Sequence, residues 1–361
     1  MENMNLEDLL ADEKSQSDNI VIDVRSPKEF SNDHIDGSLN LPVLYDLEHE
    51  EIGLLYKNIS KFEAHKKGSI YVMKNISYHI ENQLKYIGSK KKIIFYCSRG
   101  GNRSQSFSIV CSKIGWISDT IKGGYKSYRR YVIKQINELS KNLNFIIIAG
   151  KTGIGKTDIL KSLEQKGANI LDLENLASHR GSLLGSLDSI EQPSQKSFES
   201  RLYNAMKTIE RSSIVYVESE SVKIGNLHVP KQLFDFIYNS PLIKLENSIQ
   251  ERSKYLVKNY DHLKNDIPTI SNLLEFMDLK HPNHLIKLLE TYLKKEDWLK
   301  LTELLLLHHY DASYDFAMSK RQGRVLSDFK FNHTVEDVVE IVAEKILLMQ
   351  CGHFLERNTS D

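Results

Sequence analysis

The 361-residue chain has little cysteine, only Cys97, Cys111 and Cys351. Three thiols in a chain this long cannot form a disulfide framework, so a reducing, cytoplasmic setting is expected. No apolar stretch approaches the length of a membrane span, and no membrane partner is expected. The opening residues, "MENMNLEDLLADEKSQS", are acidic and lack a long apolar run, so they do not form a signal peptide. Repeats and low-complexity segments are missing. So is any His/Cys/Asp/Glu cluster with metal-ligand spacing: the adjacent His308 and His309 cannot both face one metal from a helix. Net charge is lacking as well, with 48 basic residues against 48 acidic ones, which at first argues against a nucleic-acid partner.

What the chain does have is 40% hydrophobic residues and length enough for two domains. The zero net charge also hides an asymmetry. Between Lys85 and Lys134 there are twelve Lys or Arg and one acid, Asp119. That block includes "KGGYKSYRRYVIK", where Tyr125, Tyr128 and Tyr131 alternate with Lys122, Lys126, Arg129 and Arg130. A basic stretch with interleaved aromatics suits a phosphate backbone and unstacked bases, so these four cations are candidate RNA contacts. A solvated basic helix face is the plainer alternative.

Inside the same block, "KKKIIFY" has the pattern of a buried strand and "SQSFSIVCSKIGW" that of a helix. Between them lies "YCSRGGNRS". Cys97 therefore sits where a strand turns into a helix, in a loop formed by Ser98, Arg99, Gly100, Gly101, Asn102 and Arg103. Inward-pointing backbone N–H groups and a helix N-terminus favour a thiolate there, which makes Cys97 the candidate nucleophile. A cysteine that merely packs is the alternative.

A boundary is expected near residues 134–143, giving domains 1–138 and 139–361. The second opens with the strand "FIIIAG" and then "GKTGIGKT", the Walker A pattern, followed by the helical "KTDILKSLEQKG". Gly150, Gly153 and Gly155 let backbone amides wrap a phosphate chain. Lys156 reaches the terminal oxygens, and Thr157 offers a hydroxyl to a metal ion or phosphate. "ANILDLE" (168–174) is expected as a further strand ending in Asp172 and Glu174. A third, within 212–225, runs into Glu218 and Glu220. Carboxylates at such strand ends often handle Mg²⁺ beside a P-loop, or are merely exposed acids near a turn. From Pro241 onward the pattern is mostly helical, and Thr334 with Asp337 forms a capping box.

"IDVRSPKEF…HIDGSLNLP" (22–42), with the Cys97 loop and "GGY" after it, resembles a rhodanese domain. Five residues separate Cys97 from Arg103, a spacing similar to rhodanese-type phosphatases and to one fusion family. "EEIGLLYK", "KFEAHKKG", "GGYKSYRR", "LDLENLASHRGSLLG", "VESESVKIGNLHVP" and "HHYDASYD" extend the match over nearly the whole chain. The chain thus resembles the tRNA 2-selenouridine synthase family, a rhodanese domain joined to a P-loop domain. The resemblance implies an α/β fold: a rhodanese-like domain, then a P-loop NTPase-like α/β domain with a helical C-terminal region.

The activity it implies is conversion of wobble 2-thiouridine in tRNA to 2-selenouridine. Geranyl diphosphate first alkylates the sulfur; selenophosphate then supplies selenium and the geranylated sulfur leaves. No tightly bound cofactor is implied, and Mg²⁺ is compatible. On this reading Lys156 and Thr157 hold a diphosphate, and His179, Arg180, Gly181 and Ser182 are candidate anion contacts. Cys97 receives selenium or attacks the activated carbon; both roles stay open. Two rivals are a phosphatase, and a sulfurtransferase fused to an ATP-dependent kinase-like domain.

Overall fold

Short apolar runs bounded by turn residues become two parallel sheets, one in each of the units into which the chain divides. Unit 1 comprises Met1–Gln135 with Pro193–Ser200, and unit 2 comprises Ile136–Gln192 with Arg201–Asp361. The computed structural model describes residues 3–11, 19–179, 191–261, 264, 266–278, 281–321 and 323–357.

Unit 1 is built on strands β1 (Asn3–Met4), β2 (Asn19–Asp23), β3 (Leu39–Asn40), β4 (Lys92–Tyr96) and β5 (Ile117–Ile121). They lie in the order β1-β5-β4-β2-β3 with every pairing parallel. Helices α1 (Leu6–Ala11), α2 (Pro27–Asn32), α3 (Asp46–Asn58), α4 (Lys61–Asn82) and α5 (Asn102–Ile114) connect them, and α6 (Gly124–Lys141) follows β5 and ends in unit 2. The four residues Ile93 to Tyr96 of β4 are all fully buried, as a central parallel strand requires. Ile76 of α4 and Phe107 and Cys111 of α5 pack with Ile22, Ile93 and Phe95 to form its core. The helical run between β3 and β4 is divided into two helices, because Ser60 caps α4 by accepting from Glu63 N at 3.1 Å. β4 has β5 on one side and β2 on the other, so the connections diverge at its C-terminal end. Such a switch point opens a crevice, and Cys97 is the first residue into it.

Unit 2 repeats that logic. Its strands are β6 (Asn144–Gly150), β7 (Asn169–Leu171), β8 (Ile214–Glu218), the hairpin β9 (Lys223–Ile224) and β10 (Leu227–His228), β11 (Leu242–Glu246) and β12 (Val325–Lys330). The main sheet is parallel throughout, in the order β12-β11-β6-β8-β7. The helices are α7 (Lys156–Gln165), α8 (Leu173–Leu176), α9 (Gln195–Lys207, whose residues up to Ser200 belong to unit 1), α10 (Lys231–Asn239), α11 (Ile249–Asn259), α12 (Ile267–Asp278), α13 (Asn283–Lys294), α14 (Trp298–Leu305), α15 (Asp311–Ser319) and α16 (Val335–Arg357). A π-helical turn, Leu306–Tyr310, joins α14 to α15. Central β6 carries the P-loop at its C-terminal end, again at a switch point.

One expectation is corrected here. The strand expected over 168–174 stops at Leu171, because Asp172 turns the chain by capping α8: its Oδ1 accepts from Asn175 N at 2.8 Å. The region after Pro241 is mostly helical, as expected, and β11 and β12 within it extend the P-loop sheet. Thr334 does cap the last helix, accepting from Asp337 N at 3.4 Å. Among the described residues no helix is long and apolar enough to cross a membrane.

Candidate active sites

The turn after β4 gathers donors on the Cys97 sulfur. Gly101 N lies 3.2 Å from Sγ and Ser104 Oγ donates to it at 3.3 Å. Burial pushes the thiol up, but Ser104, the backbone amides of Ser104 and Arg99, and the Arg103 charge together bring it below its ordinary value. Cys111 shares the core without any such donor, and burial drives it up to about 12. Of these two thiols, Cys97 is the one whose surroundings favour a thiolate. Gly124 makes the loop possible: its φ is +55°, and a β-carbon there would fall 2.2 Å from the Cys97 carbonyl. With that space free, Tyr125 N and Lys126 N donate to the carbonyls of Cys97 and Ser98 at 2.9 and 3.0 Å.

Arg103 closes the loop through a carboxylate that sequence reasoning did not assign. Its guanidinium donates to both oxygens of Glu29, at 2.7 and 3.4 Å, and to Ser98 Oγ at 2.6 Å. Ser98 Oγ in turn donates to Glu29 Oε1 at 2.8 Å. Burial alone would raise the Glu29 carboxyl; Arg103 and Ser98 instead hold it down at about 2. Glu29 is fixed by the start of α2, where it forms a capping box with Ser26. Arg99 is exposed, and Asn102 is the first residue of α5 behind Gly101.

The basic block divides. Lys122, Lys126 and Arg130 are exposed around the start of α6. Arg129 is not a free cation: only 11% exposed, it pairs with Asp33 at 3.3 Å, with Glu199, and with Ser200 Oγ at 3.0 Å. Tyr125 and Tyr128 are buried too, Tyr125 donating to Asp33 Oδ2 at 2.8 Å and stacking under the Arg25 guanidinium at 3.8 Å. Of the expected base-stacking aromatics Tyr125 and Tyr128 are therefore core while Tyr131 is half-buried, and Arg129 is a structural cation. Those two expectations fail because α6 turns one face inward.

In unit 2 the P-loop has its working geometry. Gly153 and Gly155 have φ of +80° and +83°, which curls the backbone amides of the loop inward. A β-carbon at Gly155 would also sit 2.3 Å from Val335 Cγ1. Lys156 Nζ donates to the Gly150 carbonyl at 3.1 Å, and Thr157 Oγ1 to Glu174 Oε2 at 3.3 Å. Glu174 N donates to Glu218 Oε1 at 2.9 Å, while the fully buried Glu218 Oε2 has no partner. Burial, then the charges of Glu220 and Asp172, push Glu174 up to about 8 against the pull of Lys156. Burial, Glu174, Glu220 and Asp172 raise Glu218 well above the carboxylate range, and burial raises Glu220 and Asp172 as well. Among the described residues no three ligand side chains gather as a metal site. His179 is half-buried and its N–H donates to Glu174 O at 3.0 Å; burial pulls its imidazole down. Arg180, Gly181 and Ser182 lie outside the described residues.

A second set of residues supports the loop from the C-terminal helices. Buried Arg252 donates to Asp311 at 2.9 and 2.7 Å and to the Thr152 carbonyl at 3.0 Å. Lys151 bonds Asp315 at 2.9 Å. Thr152 also lines an apolar cavity walled by Leu256, Tyr260, Leu301, Leu305 and Leu306 among others. Leu285, Leu289 and Leu293 from the same Leu-rich region pack as core instead.

Comparison with known proteins places both units. Residues 5–131 match a rhodanese-like domain, and residues 143–269 match the AAA domain of tRNA 2-selenouridine synthase. A tRNA 2-selenouridine synthase of Nitrosomonas europaea is 31% identical over 276 residues, 73% of this chain and 71% of the relative. One from Shewanella denitrificans is 32% identical over 348 residues, 87% and 91% of the two chains. The chain belongs to the tRNA 2-selenouridine synthase family. It is an enzyme, and the family accounts for a rhodanese-like unit and a P-loop unit in one chain.

These geometries set the reactivity of one thiol and the titration of one carboxyl. Iodoacetamide at pH 7 should alkylate Cys97 at least about tenfold faster than Cys111, and Ser104→Ala should slow Cys97 by removing a thiolate donor; peptide mass analysis reads both. For Glu174, the folded state favours the protonated carboxyl while the unfolded chain ionises it near 4.5. Its contribution to stability is therefore present below that value and lost as pH rises towards about 8. Glu174→Gln should melt a few degrees above wild type at pH 8, and the gap should close by pH 5.

Proposed function

We propose that the enzyme converts 2-thiouridine at the wobble position of tRNA to 2-selenouridine through an S-geranylated intermediate, with geranyl diphosphate and selenophosphate as co-substrates. The observation that carries this reading is the apolar cavity that has the P-loop residue Thr152 in its wall. A nucleotide would need hydrogen-bond partners for its base beyond the phosphates, whereas a prenyl chain needs apolar walls. In the first step the thiouridine sulfur bonds C1 of the geranyl group, the C1–O bond breaks, diphosphate leaves, and the base gives up its N3 proton. Inward-pointing amides of the P-loop and Lys156 suit the charge that develops on the departing diphosphate. In the second step the selenium of selenophosphate bonds C2 of the base and the C2–S bond breaks, so that geranylthiol departs; water then cleaves the Se–P bond and phosphate leaves. The lowered Cys97 thiol, with Arg103 locked beside it, belongs to this step.

The cluster around Glu174 bears on Mg²⁺. Mg²⁺ typically keeps one or two carboxylates plus substrate phosphates, so the absence of a three-ligand group among the described residues does not count against it. Thr157 and Glu174 would hold the ion with the diphosphate, and it would neutralise leaving-group charge. The orphaned Glu218 Oε2 fits a site whose charge balance is completed by something other than the protein.

The test is incubation with 2-thiouridine tRNA, geranyl diphosphate and selenophosphate, followed by nucleoside mass analysis. Cys97→Ala should accumulate geranylated tRNA. Lys156→Ala should abolish geranylation yet still selenate tRNA supplied already geranylated. ATP consumed in step with modification would overturn the diphosphate reading and favour a kinase-like unit. Replacing Lys122, Lys126 and Arg130 by Ala should weaken tRNA binding and flatten its salt slope by roughly one counterion per lost contact. Arg129→Ala should instead destabilise unit 1 by roughly 2–5 kcal/mol, because it strands Asp33 and Glu199; thermal melts separate the two effects.

A further inference from the structure

The apolar cavity has two distinguishable ends. At the first, Arg252 holds the Thr152 carbonyl, and a β-carbon at Gly153 would come within 2.9 Å of Leu256 Cδ1. Asp311 grips that same Arg252 and comes directly after Tyr310, and both Leu306 and Tyr310 line the cavity. Leu256, Leu306 and Tyr310 therefore mark the phosphate end. From Leu306, α14 runs back to Trp298, which also lines the cavity and packs on the helical core with Tyr292 and Leu304. Eight residues at 1.5 Å each put Trp298 about 12 Å along the helix from Leu306.

That length discriminates between prenyl chains. The main chain of a geranyl group has seven C–C bonds of about 1.5 Å, and its zigzag reaches roughly 9 Å. A farnesyl group has eleven such bonds and reaches roughly 14 Å. The shorter chain ends before the indole; the longer one meets it. We propose that Trp298 is the stop that limits the prenyl diphosphate to ten carbons. The proposal rests on the P-loop holding an allylic diphosphate, and it adds the residue that selects its length. Trp298 suits the task because an indole is large, rigid and apolar on its face.

The chain has only two tryptophans, Trp116 and Trp298, so Trp116→Phe leaves Trp298 as the sole reporter. Geranyl diphosphate should change its emission saturably, whereas inorganic diphosphate should bind without that change. Trp298→Ala and the bulkier Trp298→Leu should then raise binding of farnesyl over geranyl diphosphate at least tenfold and about threefold, respectively. If wild type binds geranyl diphosphate through Lys156 but both variants keep its chain-length preference, Trp298 is not the stop and the proposed function stands. If wild type binds ATP and not geranyl diphosphate, the proposed function fails and this inference with it. Should both variants unfold, the Trp116→Phe emission decides: an indole indifferent to the geranyl chain overturns the proposal.

Discussion

One buried guanidinium holds the P-loop unit together. Arg252 comes from the first turn of α11, ties the Thr152 carbonyl of the P-loop, and donates to both carboxylate oxygens of Asp311. A buried ion pair of this kind is worth little against a hydrophobic replacement, but losing one partner leaves an uncompensated charge that costs several kcal/mol. The P-loop therefore cannot keep its shape independently of the π-helical turn that delivers Asp311. A phosphate site and an apolar cavity are built on one constraint.

Unit 1 solves a similar problem with a different pair. An anion-binding loop needs a guanidinium pointing at the anion, and a free Arg103 would have many rotamers to choose from. Glu29 removes that freedom by gripping both terminal nitrogens, and Ser98 bridges the two. The charge of the pair is balanced, so the field at Cys97 comes mainly from Ser104 and backbone amides. Both units thus keep their loop cations partnered by carboxylates: Arg103 by Glu29, Lys151 by Asp311 and Asp315. Preorganisation of this sort reduces what a bound anion must spend on ordering its ligands.

The form of both loops was legible in the sequence because it is local: a strand, a glycine turn and a helix start lie close together in the chain. The partners that lock those loops were not. Glu29 is 74 residues from Arg103, and Arg252 is 59 from Asp311; no periodicity or spacing joins such pairs. The tyrosines of "GYKSYRRYVIK" misled for the opposite reason. Tyr125, Tyr128, Val132 and Ile136 recur at helical spacing and are all buried, so the apparent alternation with basic residues is the amphipathic face of α6. The two late strands were hidden because β12 is an edge strand with no buried run, and β11 carries Lys244 and Glu246 among its apolar residues.

The π-helical turn shows why "HHYDASYD" matters although none of its residues carries an obvious chemistry. An extra residue per turn rotates the downstream helix by roughly 100° relative to an unbroken α-helix. Leu305, Leu306 and Tyr310 thereby face the cavity while Asp311, the very next residue, faces Arg252. His309 stays on the rim, within 2.9 Å of His281, and His308 is exposed. A regular helix would present Tyr310 and Asp311 about 100° apart from fixed starting points and could satisfy the cavity wall or the ion pair by adjusting α14 as a whole. The turn frees the two requirements from each other: α14 sets the depth of the apolar wall, and α15 sets the grip on the P-loop.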